Sequence, residues 1–456
     1  MTPPAQSPVR DAILDHIVRT DFAVLPPAVV TATKAVVLDT LACGIVGSSD
    51  PVAAKLLPTA EARHGGPSIP IWGRAGTAPA FAAAMTNAYQ VHGLEYAAVH
   101  ERATVHSMSA IFPTVMAYAD MNGAVSGADL IAAINIGNDV ACLLGLAATQ
   151  GARFFRPGVC GALGATAAIA KLARLDRTQT MNLFGLAYSQ LSGTMQAHTE
   201  ASMALGLQIA FSTRNVLTAL DLVQAGLTGP HDVFDGKFGY FALFERDGDA
   251  RPFLHELGTA WRTAELSFKP FPSGRASHGV LDALTRLRAQ YAFTAEDVAE
   301  VILDVPPFVH RLGGRPAVQP MDPAYARLCV PFLAAAYLRD GFVDVRTYRP
   351  ENLNDPAVHD LASRVRVTID KNPDVNALSP VHVRVVLKSG GNLDMPVPVL
   401  LGHPDYPMTD AQNRAKLENA CATALVPVDA AALARDVAVL ETLPDAAALS
   451  RRAAGL

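Results

Sequence analysis

The residues best suited to proton chemistry are crowded into one stretch of the chain. This stretch runs from His92 to His106 and also contains Glu95, His100 and Glu101. An imidazole or a carboxylate can take a proton from a substrate when it lies within hydrogen-bond reach. The stretch therefore predicts a site for proton transfer. The other interpretation is a buried polar network whose members satisfy one another.

The spacing of these histidines does not suit a metal site on a helix. Such a zinc site places two histidines four residues apart, so that both face the metal. His100 and His106 are further apart and would lie on different faces of a helix. The sequence therefore predicts no metal, and a zinc ion held by an irregular loop is the remaining alternative.

A second set of candidates lies on a loop rich in proline, between Ser267 and His278. The loop leads into a helix predicted to begin near Ser277, and the free N–H groups of a helix start attract anions. Lys269, Arg275 and His278 add three donors at the same place. The composition predicts a cradle for a carboxylate or phosphate. The alternative is a well-capped helix with solvated basic side chains.

A third group of basic residues follows the first predicted strand. It contains His310, Arg311 and Arg315, and Arg327 comes shortly afterwards. This composition also suits an acidic ligand, although loops are commonly basic for no special reason. We therefore include His310 and Arg311 among the candidates for substrate binding.

Composition excludes several classes of protein. Hydrophobic residues make up 50% of the 456 residues and charged residues 17%, which predicts a packed globular protein rather than a disordered one. The net charge is −5 and no basic block occurs, so we expect neither nucleic acid nor an anionic membrane as partner. We also expect no signal peptide and no membrane span. The five scattered cysteines favour buried thiols in a reducing cytoplasm.

Helical patterns dominate from residue 8 to about residue 228. Several segments are apolar on nearly all sides, which indicates buried helices. These segments are Ile111–Ala119, Leu130–Leu146, Ala162–Leu172 and Leu205–Val223. Gly158, Gly161 and Gly164 recur every three residues and predict close helix packing. Because one chain would not cover so many apolar faces, we expect a homodimer formed through these helices.

The pattern changes after about Ser267. Alternating apolar residues predict strands, and two prolines place the last strand at the edge of a sheet. The predicted strands are Val298–Val305, Arg364–Asp370, Val381–Leu387 and a return from Met395, with helices near His278–Gln290, Tyr325–Arg339, Asp410–Leu425 and Ala430–Leu440. The fold class is thus mainly α with a smaller α+β domain of mostly antiparallel sheet. We place the all-helical domain at residues 1–266 with returning helices at 404–456, and the α+β lid domain at 267–403.

The order of several motifs along nearly the whole chain resembles the MmgE/PrpD family. The motifs are the segment Asn87–His92, His106, the Gly/Ala-rich helix at Gly161, the pair Arg214–Asn215, the turn Gly226–Pro230, the Lys269 loop ending at His278, and the pair Ala326–Arg327. The family includes 2-methylcitrate dehydratases, cis-aconitate decarboxylases and iminodisuccinate epimerases. The resemblance implies a helical domain and an α+β lid with a site between them, a homodimer, and no metal or organic cofactor.

The resemblance carries only some site residues over. His106 is similar to the family histidine after the acidic segment, Lys269 to the lysine of the K-x-x-P loop, and His278 to the histidine that ends this loop. Relatives have a run like Asp-Phe-Asp-Asp where this chain has Glu95 followed by Tyr-Ala-Ala. Only one carboxylate of that run therefore remains.

Further departures mark a divergent branch of the family. Arg156 stands where many relatives have a histidine before proline. A lysine that many relatives carry before the Arg-Asn pair falls near Leu205 in this chain. A tyrosine in the lid of some relatives falls near His310. These departures bear on which reaction the enzyme catalyses and on which residues act as its acid and its base.

We therefore predict a cytoplasmic lyase that abstracts a proton next to a carboxylate of a small di- or tricarboxylic acid, as in the dehydration by 2-methylcitrate dehydratase. Lys269, Arg275 and Arg156 are predicted to bind carboxylates and to stabilise the charge that builds on them. His106 and Glu95 are predicted to transfer protons, with His100, His278 and His310 as alternates. Epimerisation and decarboxylation are alternative reactions, and a non-catalytic ligand-binding or assembly protein is the alternative of another class.

Overall fold

The computed structural model describes residues 7–63, 65–374 and 376–456. Residues 1–6, which fall in the predicted helical domain, lie outside the described residues. The described chain is mainly helical with a small mixed sheet in its later part, so the predicted fold class is confirmed.

The first part of the chain is a stack of helices. They are α1 (Pro8–Arg19), α2 (Pro27–Gly47), α3 (Pro51–Glu61), α4 (Ala80–Gly93), α5 (Met108–Asn122), α6 (Gly127–Leu146), α7 (Arg156–Leu172), α8 (Arg177–Tyr188), α9 (Gln196–Thr199), α10 (Ala204–Gln224) and α11 (Tyr240–Leu243). The four strongly apolar segments lie in α5, α6, α7 and α10, as predicted. A hairpin of β1 (Ser68–Pro70) and β2 (Thr77–Pro79) was not predicted, because strands this short give no periodic pattern.

Helices α6 and α7 pack closely because small residues face each other. A Cβ atom on Gly164 would lie 2.5 Å from the carbonyl oxygen of Gly137, so no larger side chain fits there. The predicted role of the glycine series in helix packing is thus confirmed at Gly164. Every residue from Arg156 to Ala170 is buried within the single chain. No partner subunit is therefore needed to cover α7, and the homodimer stays a prediction.

Two helices, α2 and α6, are long and apolar enough to cross a membrane by length and composition. However, 67% of the most apolar window of α2 and 89% of that of α6 are buried inside the structure. Helices in the core of a globular domain have this property.

The later part of the chain builds a four-stranded sheet. Its elements are α12 (His278–Gln290), β3 (Val298–Val305), α13 (Pro307–Gly313), α14 (Pro323–Ala326), α15 (Val330–Asp340), α16 (Pro350–Leu353), α17 (Pro356–Ser363), β4 (Val365–Ile369), β5 (Val381–Leu387) and β6 (Asn392–Val397). The strand order is β4-β3-β5-β6, with β3 and β4 parallel and the other pairs antiparallel. The edge position of β6, which contains Pro396, agrees with the prediction from its prolines.

The helix predicted over Tyr325–Arg339 is wrong in its extent. The structure has the short α14, a break at Arg327–Cys329, and then α15 from Val330. Pro331 explains the break, since proline lacks the N–H of an interior helical residue and fits only in the first turn. In α15 it occupies that first turn.

The chain ends with three helices that return to the first part. They are α18 (Asp410–Thr423), α19 (Ala430–Ala438) and α20 (Ala447–Ala453). The indole Nε1 of Trp72 donates a hydrogen bond of 3.0 Å to the Ser450 hydroxyl of α20, which supports the predicted return. The largest hydrophobic cluster contains residues 9–266 and 417–453, and we call it the first core. A second cluster contains residues 276–400, and we call it the second core.

A buried lysine on α18 holds several segments together. The Nζ atom of Lys416 donates to Oδ1 of Asp39 on α2 at 2.6 Å. It also donates to the carbonyl oxygens of Tyr96 at 3.0 Å and Lys269 at 3.1 Å. Burial lowers the pKa of Lys416, but the charge and hydrogen bond of Asp39, together with the nearby Cys43 and Tyr96, raise it overall. This ammonium group therefore fixes two loops whose side chains form the candidate site.

We expect Lys416→Met to lower the free energy of unfolding by about 3–5 kcal/mol, because Asp39 would remain buried without its partner. Urea unfolding measures the change, and Asp39→Asn/Lys416→Met should cost less than the two single changes added together. Arg366→Met is the control, since it removes only an exposed pair with Glu300 and should cost about 1 kcal/mol or less. Additive effects of the two buried changes would contradict this coupling.

Candidate active site

The loop between α4 and α5 carries the predicted proton-transfer residues. It is fixed to the chain before Lys269 by two backbone hydrogen bonds between Val99 and Ser267, of 2.9 and 2.8 Å. Glu95, just after the end of α4, has a positive φ of 54°. This left-handed backbone costs a residue with a side chain about 1–2 kcal/mol. Such strain is common at functional sites.

Lys269 lies behind Glu95 rather than facing the cleft. Its Nζ atom donates to the Glu95 carbonyl at 2.9 Å, to Glu95 Oε2 at 3.3 Å and to the Ser273 carbonyl at 3.3 Å. The lysine is fully buried, and these acceptors use all three of its N–H donors. Burial lowers the pKa of Lys269, and the charge of Glu95 opposes this. The predicted direct contact of Lys269 with a substrate carboxylate therefore differs from what the structure shows.

Glu95 is held in its ionised form. Burial would raise its pKa, but the charge of Lys269, together with nearby histidines, holds the pKa of Glu95 at about 2. The neighbouring ring of His92 brings its Nε2 atom to 3.6 Å from Glu95 Oε1, slightly beyond a hydrogen bond. Glu95 is thus a fixed negative charge and too weak a base to take a proton from carbon.

His106 is held in one tautomer by the backbone. Its Nδ1 atom lies 3.0 Å from the carbonyl oxygen of Ala98 and 3.2 Å from that of Ala97. A carbonyl only accepts, so Nδ1 carries the proton and Nε2 carries a lone pair. Burial, with the charges of Lys269 and His92, lowers the pKa of His106 well below its usual 6.5, although Glu95 opposes this. His106 is therefore neutral at neutral pH, with an unprotonated Nε2.

His106 lines a cleft between the two cores, which has two connected lobes. The inner lobe contains His106 and, opposite it, residues of α13 such as Arg311, and has about 840 Å³ of space with its mouth included. The outer lobe is lined by residues such as Lys55 and Arg349 and has about 1630 Å³. His92, Glu95, Leu205, Arg327 and Leu328 line both lobes. This is the position between the two parts of the chain that the family resemblance implies.

Arg156 and Arg275, the predicted carboxylate-binding residues, both line the inner lobe, but each already has a carboxylate partner. Arg156 Nε donates to Glu245 at 2.6 Å and Nη2 donates to the same carboxylate at 3.2 Å. Arg275 donates to Glu101 Oε1 from Nε at 2.9 Å and from Nη2 at 2.7 Å. The Nη1 atom of Arg156 is buried and has no hydrogen-bond partner in the described residues. Arg156 can thus offer one donor to a ligand, whereas Arg275 mainly positions Glu101.

Arg311 offers a cation without a carboxylate partner within the described residues. Its guanidinium lies 5.0 Å from the centre of the Phe308 ring. A Cβ atom on Gly151 would lie 2.6 Å from Arg311 Nη1, so the guanidinium rests on the backbone close to Arg156. Burial, together with the charge of Arg156, lowers the pKa of Arg311. Two guanidinium groups therefore approach one region of the inner lobe, where an anion would stabilise both.

The other predicted residues do not line the cleft. His100 accepts a hydrogen bond from the Ala103 N–H at Nδ1 and donates from Nε2 to Glu265 at 2.8 Å, so it stabilises the loop. The buried His278 donates from Nε2 to the Ser273 carbonyl at 3.2 Å. His310 lies on α13 but lines neither lobe. Their residue types suited the chemistry, but the fold turns these side chains away from the cleft.

The sequence candidates missed a histidine that lines the cleft. His198, on the four-residue helix α9, lines the inner lobe. Burial and the charge of Arg315 lower its pKa to about 4, although Glu95 opposes this. No nearby motif marks His198, because its place in the cleft depends on long-range packing. In the described part of the chain, no group of three or more His, Cys, Asp or Glu side chains could hold a metal ion.

Comparison with known proteins assigns the chain to a family. The MmgE/PrpD N-terminal domain matches residues 11–252, and the MmgE/PrpD C-terminal domain matches residues 271–442. Cis-aconitate decarboxylase of Mus musculus is 25% identical over 94% of this chain and 89% of its own length. The cis-aconitate decarboxylase-like protein of Aspergillus oryzae is 27% identical over 93% of both chains, and cis-aconitate decarboxylase of Homo sapiens is 26% identical over 93% of this chain and 90% of its own length.

These relatives confirm the prediction of an enzyme of the lyase class, since a decarboxylase is a lyase. Identities of 25–27% do not decide between decarboxylation and the predicted dehydration. Together the two domain matches leave few residues of the chain unassigned, and they agree with the motifs that carried the resemblance. The chain therefore belongs to the MmgE/PrpD family.

Proposed function

We propose that this enzyme removes a proton from the carbon next to a carboxylate of a small 3-hydroxy acid and eliminates water. The observation that carries the proposal is the tautomer of His106. Its Nδ1–H donates to the carbonyls of Ala97 and Ala98, so Nε2 carries a lone pair. His106 lines the cleft. A neutral imidazole of this kind can accept a proton as a general base at neutral pH.

Proton transfer leaves a positive charge on His106, which Glu95 compensates. Glu95 is ionised, and its charge raises the pKa of His106 against the effect of burial. The charge of Glu95 therefore stabilises the imidazolium that forms during the reaction. Lys269 acts indirectly, because it keeps Glu95 ionised and in place.

The carboxylate next to the reacting carbon binds to the two guanidinium groups. When the C2–H bond breaks, the electron pair spreads into this carboxylate, which then carries nearly two negative charges. The free Nη1 donor of Arg156 and the unpaired Arg311 supply the positive charge that stabilises it.

The leaving hydroxyl group needs a proton, and His92 is its donor. Its Nδ1 atom lies 3.3 Å from the Ser109 hydroxyl, and Nε2 has no hydrogen-bond partner in the described residues. When Ser109 donates to Nδ1, Nε2 carries a proton that can pass to the hydroxyl as the C3–O bond breaks. The C2 proton goes to His106, a C2=C3 bond forms and water leaves, so that no oxidant or cofactor takes part.

Decarboxylation is the second candidate, favoured by the names of the relatives. In that reaction the C–C bond breaks, carbon dioxide leaves, and the carbanion takes a proton. His92 could give that proton, but the reaction would leave the lone pair on His106 Nε2 without a role, and for this reason we rank elimination first. Epimerisation by reprotonation at C2 and a non-catalytic binding role remain the other outcomes.

We expect His106→Gln to reduce kcat by a factor of about 100 to 10,000, because it removes the general base. Binding of a substrate, measured by calorimetry, should change little, since the carboxylate contacts lie elsewhere in the cleft. His382→Gln, at a half-exposed histidine on β5, is the matched control and should keep wild-type turnover. Near-normal turnover in His106→Gln would contradict the assignment of the base.

The pH profile of kcat/KM should reflect the lowered pKa of His106. The base works in its neutral form, so activity is lost as the pH falls through its pKa. Because this pKa lies well below 6.5, kcat/KM should stay constant from pH 8 to about pH 6 and fall only at lower pH. Two substrates of different acidity separate the titration of the substrate from that of the enzyme. A half-maximal value at pH 6.5 or above would contradict a neutral buried base.

Proton NMR in deuterated water tests the reaction itself. We would incubate the enzyme with 3-hydroxybutyrate, 3-hydroxyhexanoate, malate, citrate, 2-methylcitrate and cis-aconitate. Deuterium at C2 together with an alkene product from a 3-hydroxy acid would support elimination. Exchange without an alkene would indicate epimerisation, release of carbon dioxide from cis-aconitate would indicate decarboxylation, and binding without exchange would indicate a non-catalytic protein. Each of the last three results would overturn the proposal.

A further inference from the structure

His198 differs from the other two histidines of the inner lobe, because its ring has no partner. Within the described residues the ring makes no hydrogen bond, and the side chain is only partly buried, so a ligand in the lobe can reach it. By contrast, His92 lies 3.3 Å from the Ser109 hydroxyl, and His106 donates to the Ala98 carbonyl. The proposed reaction gives roles to these two histidines and none to His198.

Hydrogen bonds from two sides place His198 beside the segment that leads to Arg156. The Met195 N–H, just before α9, donates to the Arg153 carbonyl at 3.0 Å. From the second core side, Arg315 Nη2 donates to the His198 carbonyl at 3.1 Å. Although α9 has only four residues, its position in the lobe is therefore fixed.

The charges around His198 keep its ring neutral in the free enzyme. Burial lowers the pKa of His198 to about 4, and the positive charges of Arg315 and Arg311 act in the same direction, whereas Glu95 opposes them. Helix α10 packs against α9, and in the described chain it contributes Leu205 but no charged side chain to the lobe.

The carboxylate site of the proposed function lies on the same wall as His198. Within the described residues Arg311 has no carboxylate partner, and Arg156 Nη1 has no hydrogen-bond partner. A carboxylate bound there offsets the positive charge of Arg311 and brings a negative charge near the imidazole. A nearby negative charge favours the protonated form of a histidine.

Resting on this carboxylate site, we infer that His198 is a third carboxylate-binding residue, which takes up a proton from solvent as the ligand binds. The protonated ring then donates a charge-assisted hydrogen bond to the carboxylate. No bond of the ligand forms or breaks in this step. The added positive charge also faces the carboxylate when the electron pair of the C2–H bond enters it, and so stabilises the transition state.

Proton uptake makes the affinity for a carboxylate depend on pH. Contact with the carboxylate should raise the pKa of His198 from about 4 to about 6. Because the pKa is higher in the complex than in the free enzyme, the added affinity is fully present only below the lower value. It is lost as the pH rises through the pKa of the complex. At pH 5.5 it should amount to about fourfold in Kd, and at pH 8 to almost nothing.

Calorimetry with succinate tests the inference without any turnover, because succinate has no hydroxyl group to eliminate. We would measure Kd at pH 8 and pH 5.5 for the wild type and for His198→Gln, which cannot take up the proton. Relative to the wild type, the Kd of the variant should rise about fourfold between the two pH values. Protonation of succinate itself affects both proteins equally and cancels in this ratio.

His255→Gln, at an exposed histidine, is the matched control and should follow the wild type at both pH values. His198→Gln should fold normally, since it replaces a partly exposed ring that makes no hydrogen bond in the described chain. A ratio of Kd values that stays the same at pH 8 and pH 5.5 would overturn the inference.

NMR of the imidazole Cε1–H groups detects the proton directly. The signal of His198 is the one that disappears in His198→Gln. Without a ligand the ring should remain neutral down to pH 5.5, and with saturating succinate it should titrate near about pH 6. Identical titrations with and without succinate would contradict proton uptake by His198.

These outcomes separate the inference from the proposed reaction. If succinate binding protonates His198 but no 3-hydroxy acid is dehydrated, the carboxylate site stands and the elimination fails. If 3-hydroxy acids are dehydrated while His198 stays neutral in the complex, the elimination stands and the role of His198 is wrong. Absence of succinate binding to the wild type would overturn the carboxylate site and the role of His198 together.

Discussion

The ammonium group of Lys269 is fully buried, and a buried charge is tolerated only when it is paired and hydrogen-bonded. Glu95 supplies both a carboxylate and a backbone carbonyl for this purpose. The pair joins the loop after α4, which belongs to the first core, to the chain that leads into the second core. Lys416 supports the same junction from behind by binding the carbonyl oxygens of Tyr96 and Lys269. The junction thus holds the loop that carries Glu95 and His106.

The junction also sets the chemistry of the cleft. Because Lys269 keeps Glu95 ionised, the loop carries a fixed negative charge beside two neutral histidines, His92 and His106. The neutral state of His106 makes it a base, and the nearby charge of Glu95 stabilises the imidazolium that forms. Arg156 and Arg275 are already paired with carboxylates, so only part of the positive charge of the inner lobe is available to a ligand.

The sequence predicted the architecture better than the orientation of the site residues. Buried helices such as α6 and α7 follow from local periodicity, and the edge position of β6 follows from its prolines, because both signals lie within one element. The Lys269 and Arg275 loop was correctly identified as cationic. However, the partners of these residues, Glu95 and Glu101, lie far away in the sequence, so local reasoning could not show that both cations are already paired.

The two errors in the predicted site, at His100 and at His198, have the same physical cause. His100 and His106 are nearly equivalent in the sequence, but the hydrogen bonds of His100 with Glu265 and with the Ala103 N–H turn it away from the cleft. His198 reaches the cleft through the packing of a helix too short to give a pattern. A sequence read in one dimension shows which residue types are close along the chain. It does not show which of them share a cavity after two cores have packed together.

Nitrogen-15 NMR of the imidazole rings measures the protonation of His106 directly. The resonances of His106 in protein labelled with ¹⁵N-histidine are those that disappear in His106→Gln. The structure predicts a protonated Nδ1 and an unprotonated Nε2, unchanged from pH 8 to pH 6, because two carbonyls hold the Nδ1 proton and burial lowers the pKa. A protonated Nε2 in the resting enzyme, or a titration near the ordinary value of about 6.5, would contradict His106 as the base.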